Sequence, residues 1–264
     1  MTLFALGPEG TFSHELACTM SPGEEIRLLP SIGLVCRAVE EGKGEGIIPV
    51  ENSEAGAVGP AMDALLKFRV FIVAEMFREV HHCLAAFLPP GQISVIYAHP
   101  QSSEQCSEFL DSLGIPVQFT GSNAASAVDL ARNHSGAAVV SEHIAALYSV
   151  PLVRKNIENN PNNVTRFVKI SDSPVAINVP EKCSIVVDPG EDRPGLLYDL
   201  LSVFARRTIN LCRIESRPSR RGIGSYVFFM DITANPGWQE ALMEIAGMAT
   251  VKPLGCYRRV EVPP

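Results

Sequence analysis

Polar side chains gather at four points beside short apolar runs of the chain. Gly7-Pro8-Glu9-Gly10-Thr11 follows the run 2–6, Glu51-Asn52-Ser53 follows 46–50, and His99-Pro100-Gln101 follows 94–98. The fourth is Asn162-Asn163-Val164-Thr165-Arg166-Phe167. The glycines let backbone approach an anion, and a helix start behind them offers free N–H groups. Asn52, Ser53 and Gln101 are neutral donors and acceptors suited to a carboxylate or hydroxyl ligand. Arg166 is a natural bidentate partner for a carboxylate, and Thr165 beside it can donate to a departing oxygen. Taken singly, each loop also has a plain reading: a tight turn, an N-cap by Asn or Ser, or a solvated arginine.

The flanking periodicities predict elements that bring such loops together. Strands at 2–6, 46–50, 69–74, 94–98, 117–120, 137–140 and 165–170 alternate with amphipathic helices, which is an α/β layer pattern. Loops at the carboxyl ends of strands in such sheets are where ligands bind. The segment 171–180 has two prolines and no helical period, and reads as a linker. Beyond it the order is strand, helix, strand, strand, helix, strand, the split-βαβ arrangement of ferredoxin-like units.

Composition narrows the function. Apolar residues make up 46% of the 264 and charged residues 19%, with a net charge of -7. A mildly acidic chain has no general attraction for nucleic acid or anionic membrane, so any anion site must be built locally. The start MTLFALGPEG lacks the basic and apolar regions of a signal peptide, and no run reaches membrane-span length. The seven scattered cysteines lack any C-x-x-C pair, so reduced thiols in a cytoplasm are expected. His81-His82-Cys83 does not promise a metal site, because adjacent strand residues point to opposite faces.

Together the segments GPEGTFSHELA (7–17), GIIPVENSEAGAV (46–58), HHCL (81–84), AHPQSSEQC (98–106) and NNVTRF (162–167) resemble prephenate dehydratase. RPGLLYDLLSVFARRTINLCRIESRP (193–218) and YVFFMD (226–231) resemble the ACT regulatory domain which that family carries. The resemblance implies a two-lobed catalytic domain similar to periplasmic binding proteins over 1–178, followed by a ferredoxin-like βαββαβ ACT domain over 182–264. Lobe one would be 1–75 with 165–178, and lobe two 76–164.

It further implies cofactor-free loss of CO₂ and hydroxide from prephenate, giving phenylpyruvate in phenylalanine biosynthesis. Thr165, Arg166, Asn52 and Gln101 are then the catalytic candidates, with Arg166 either binding a carboxylate or supporting the Thr165 loop. Thr11, Ser53, Ser122 and Asn123 are the substrate-contact candidates. Gly195, Leu196, Leu197 and Glu215-Ser216-Arg217-Pro218 would enclose phenylalanine as effector between subunits of a homodimer or homotetramer. The alternatives are action on arogenate and a non-catalytic amino-acid sensor. Ala57, Ala61, Asn123, Leu196 and Gly224 depart from the family's usual residues, so contacts made by Ser or Thr hydroxyls could be missing, and a bulky Leu196 could crowd the effector pocket.

Overall fold

The computed structural model describes residues 2–191, 193–222 and 224–263. The first stretch contains β1 (Thr2–Leu6), α1 (Phe12–Met20), β2 (Glu25–Leu29), α2 (Ile32–Glu40), β3 (Glu45–Asn52), β4 (Gly56–Ala57), α3 (Gly59–Lys67) and β5 (Phe71–Glu79). Next come β6 (Cys83–Ala86), β7 (Ile96–Ala98), α4 (Pro100–Gln105), α5 (Ser107–Leu113), β8 (Val117–Phe119), α6 (Asn123–Arg132), β9 (Ala137–Val140), α7 (Glu142–Leu147) and β10 (Leu152–Lys155). Then follow β11 (Val164–Ser171), β12 (Lys182–Asp188), α8 (Leu196–Arg206), β13 (Leu211–Pro218), β14 (Tyr226–Thr233), α9 (Trp238–Ala246) and β15 (Thr250–Arg259).

Two sheets organise these elements. The smaller has the order β10-β6-β9-β7-β8 and forms lobe two. The larger has the order β13-β14-β12-β15-β5-β11-β3-β1-β2 and runs without a break from the C-terminal unit into lobe one. The join is a parallel pairing of β15 with β5, Arg258 opposite Ala74 and Arg259 opposite Glu75. Strand β11 returns from lobe two and lies antiparallel between β5 and β3. It is buried on both faces, which its run of Phe167, Val168 and Ile170 reflects.

Four short strands, β2, β4, β6 and β10, were not expected from the sequence. Charged Glu25 and Arg27 interrupt the apolar signal of β2, and Arg154 and Lys155 that of β10. Lobe one's core packs α2 and α3 on the sheet and takes in Val186, Val227, Phe229, Leu254 and Tyr257 from the C-terminal unit. A separate core beneath α8 and α9 closes that unit's other face.

The expectation of uniformly reduced thiols fails at one pair: Cys183 and Cys256 are joined in a disulfide. They sit opposite one another on antiparallel β12 and β15, a proximity that a sequence separation of 73 conceals.

Candidate active site

A cleft of about 410 Å³ opens between the lobes. The starts of three helices meet on it: Gly10 to Ser13 at α1, His99 to Ser102 at α4, and Ser122 to Ala124 at α6. Asn52 and Thr165 come from the ends of β3 and β11, and His82 and Gln105 complete the polar lining. No Asp, Glu, Lys or Arg is among the described residues that line it. An anion held there would have to be met by N–H groups and helix dipoles, about half a positive charge per helix start.

The geometry around Thr165 is tightly specified. Asn52 Oδ1 accepts from the backbone N–H groups of Glu54 (3.1 Å) and Ala55 (2.9 Å), which fixes which way the amide points. Its Nδ2 therefore donates, to Asn163 Oδ1 at 2.7 Å and to Thr165 Oγ1 at 2.9 Å. With one lone pair of Thr165 occupied in this way, the hydroxyl proton is left to point elsewhere. Asn52 and Thr165 are register partners on neighbouring strands and face the cleft together.

Each remaining candidate has a definite place. Gln101 is exposed on the cleft rim, and Thr11 and Ser122 line the cleft as N-caps of α1 and α6. Thr11 also donates to Leu6 O at 2.8 Å, and Asn123 accepts from Ser102 at 2.7 Å. Ser53 does not reach the cleft: it is exposed, and its Oγ accepts from Val164 N at 2.9 Å. Ala61 is buried in lobe one's core and Ala57 pairs with Glu51, so neither departure removes a hydroxyl from the cleft lining.

Arg166 is the principal correction. It neighbours Thr165 on a strand, so its side chain leaves by the opposite face. There Nε donates to Glu75 at 2.8 Å, Nη1 to Asp231 at 2.5 Å and Nη2 to the Tyr257 hydroxyl at 2.8 Å. Burial works against its charge, but Asp231, Tyr257 and Glu75 more than offset that and hold the guanidinium protonated. It cannot bind a substrate carboxylate; of the two roles first expected, only support of the Thr165 strand fits.

Among the effector candidates, Gly195 has a left-handed φ of 81° at the start of α8. Leu196 turns into its own domain's core, so it does not crowd the surface beside Gly195, while Leu197 and Ser216 are exposed. Arg217 is directed elsewhere, toward Asp63 on α3 at 3.4 Å.

Sequence reasoning missed His82, Gln105 and Asn163. His82 is buried, with Nε2 3.0 Å from Gln105 Oε1, and burial lowers its pKa. Gln105 donates in turn to Glu54 at 3.0 Å, linking the lobes across the cleft. His81 points away, to Glu158 at 2.7 Å. The doubled asparagine of Asn162-Asn163 was the available signal for Asn163, whose amide bridges Asn52 and Glu54.

The model of the prephenate dehydratase family matches residues 3–175, and the ACT domain model matches 190–247. The chain belongs to the prephenate dehydratase family. It is 33% identical to the prephenate dehydratase of Lactococcus lactis over 272 residues, 97% of each chain. A solved prephenate dehydratase from Arthrobacter aurescens in complex with L-Phe superposes with a TM-score of 0.89 at 28% identity, covering 100% of this chain and 94% of that one. The quorum-quenching acylase GqqA has the same fold, with a TM-score of 0.88, 25% identity and 98% coverage of both chains.

Proposed function

We propose that the cleft binds prephenate and that Thr165 assists departure of its ring hydroxyl. The observation that carries this reading is the fixed Asn52 amide, which donates to Thr165 Oγ1 and frees the hydroxyl proton for the substrate. In the reaction the bond from the ring to its carboxylate breaks, releasing CO₂. Its electron pair enters the ring as the C–O bond breaks, and hydroxide leaves to become water. Thr165 is too weak an acid to transfer a free proton; it donates a hydrogen bond that strengthens as negative charge builds on oxygen.

The absence of cations among the described lining residues suits this chemistry. A carboxylate that departs as CO₂ loses its charge on the way to the transition state. A strong ion pair to it would stabilise the ground state more than the transition state and slow the reaction. Neutral donors at the starts of α1 and α6, together with Gln101, hold the two carboxylates without that penalty.

The test is incubation with prephenate at neutral pH, following phenylpyruvate. A folded protein with no turnover above the spontaneous rate sinks the proposal, and a parallel assay with arogenate decides substrate preference. An acylase mechanism is not favoured, since among the described residues no cleft hydroxyl is hydrogen-bonded to a histidine ring.

Phenylalanine is the proposed effector. The L-Phe complex of the structural relative supports this, as do Gly195 with open space around it and the exposed Ser216. Strand β13 ends its sheet and leaves an edge available for a second ACT unit, so a dimer or larger assembly is proposed.

A further inference from the structure

Asn52 and Thr165 face the cleft as a registered pair, and their chain neighbours Glu51 and Arg166 form the next registered pair. Strand alternation sends that second pair to the far face of the sheet, against the ACT domain. There Arg166 meets Asp231 at 2.5 Å and Glu51 meets Arg213 at 3.4 Å. Asp231 and Arg213 are themselves register partners on β14 and β13. Glu51 and Arg166 are also 3.6 Å apart, so three ion contacts and the Arg213–Asp231 register pair link the four groups into a square of alternating charge. Two strands that carry the reacting groups are thus gripped, one residue away, by two strands of the other domain.

The grip is anchored on both sides. Asp231 accepts from Ser184 Oγ at 2.5 Å, and Tyr257 binds both Ser184 and Arg166. Glu75 holds Arg166 Nε from lobe one and accepts from Lys182 of the ACT domain at 2.8 Å. A shift of β14 against β5 must therefore move residue 166, and with it Thr165.

We propose that Arg213 and Asp231 of the ACT domain are positioning residues for the pair Asn52–Thr165, acting through Glu51 and Arg166. The proposal rests on the reading of Thr165 given above. Misplacing a reacting group by an ångström costs up to about 10²-fold in rate, so even small play in the square registers in kcat.

The experiment is a double-mutant cycle in the full chain, with fold checked by circular dichroism. Asp231→Asn keeps shape and removes charge. It is expected to lower kcat by on the order of tenfold or more with KM changed less than about twofold. In a Thr165→Ala background the same change is expected to cost almost nothing further, because its effect runs through that hydroxyl. Arg213→Gln should behave likewise, and Arg213→Lys should recover part of the loss. It also serves where Asp231→Asn fails to fold. Losses that add fully on the Thr165→Ala background, or a folded Asp231→Asn and Arg213→Gln with normal kcat, overturn the proposal alone. Normal kcat in Thr165→Ala overturns the reading of Thr165 itself.

Discussion

The amide of Asn52 donates to the hydroxyl of Thr165 across 2.9 Å, and main-chain N–H groups on the other side of that amide prevent it from flipping. Replacing Asn52 by Asp inverts the relationship. A carboxylate can only accept, so the Thr165 proton is drawn to it and away from the substrate. Asn52→Asp and Thr165→Ala are expected to lower kcat by about 10²–10³, the range for loss of one donor to a developing oxyanion. Thr165→Ser should keep much of the activity. Steady-state kinetics on prephenate checks all three, and a fast Asn52→Asp enzyme would mean the amide's orientation is immaterial.

Lys252 of the ACT domain reaches into lobe one and donates to the carbonyls of Leu65, Leu66 and Phe68 at the end of α3, at 2.7, 2.9 and 2.7 Å. Those carbonyls lack helix partners and sit at the negative end of the helix dipole. Lys252→Met keeps much of the stem's packing and removes the donors. Urea denaturation should show a loss of about 1.5–3 kcal/mol, the range for hydrogen bonds to a charged group. An unchanged midpoint would show that water replaces the ammonium at no cost.

His82 gives stability a pH dependence of known sign. Burial lowers its pKa from the usual 6.5, so below that value the unfolded chain takes up a proton that the folded ring resists. Its contribution is complete above about pH 6.5 and is lost as pH falls toward the folded value. His81 runs the other way: its bond to Glu158 raises its pKa, and its contribution is complete below 6.5 and fades as pH rises through the folded value. Urea midpoints at about pH 7.5 and 5.5 should fall on acidification less in His82→Gln than in the parent. An equal fall in both proteins would exclude His82 as a source of the acid loss.

Gly195 occupies a left-handed conformation in which a β-branched residue is strained. Gly195→Val should therefore weaken phenylalanine binding measured by calorimetry and leave prephenate turnover intact. Inhibition also requires that phenylalanine prefer the less active state. Equal phenylalanine affinity in both proteins would place the effector elsewhere.

Much of this molecule was legible in its residues, and the limits have physical causes. The helices from Ile32, Asn123, Leu196 and Trp238 announced themselves by period, and Asn52, Gln101 and Thr165 by standing where apolar runs break. Arg166 was legible only by half. Adjacent strand residues face opposite ways, so Thr165 and Arg166 could not both enter the cleft. Which of them turned away was decided by Asp231, 65 residues downstream, through a contact that no local pattern reports. Ser53 misled for a related reason: it found a partner inside the protein, Val164, before any ligand could claim it.

The pairing of β15 with β5 changes what the proline-bearing stretch between the two units does. Chain that joins two independent bodies acts as a tether, and cutting it lets them drift apart. Here main-chain hydrogen bonds already bridge the halves, backed by a shared core and the grip on Arg166. The exposed residues from Asp172 to Ala176 are therefore mechanically idle in the folded state. A protease that severed them would leave two polypeptides still held in one sheet, and the cut would show on a denaturing gel well before it showed in the shape of the particle.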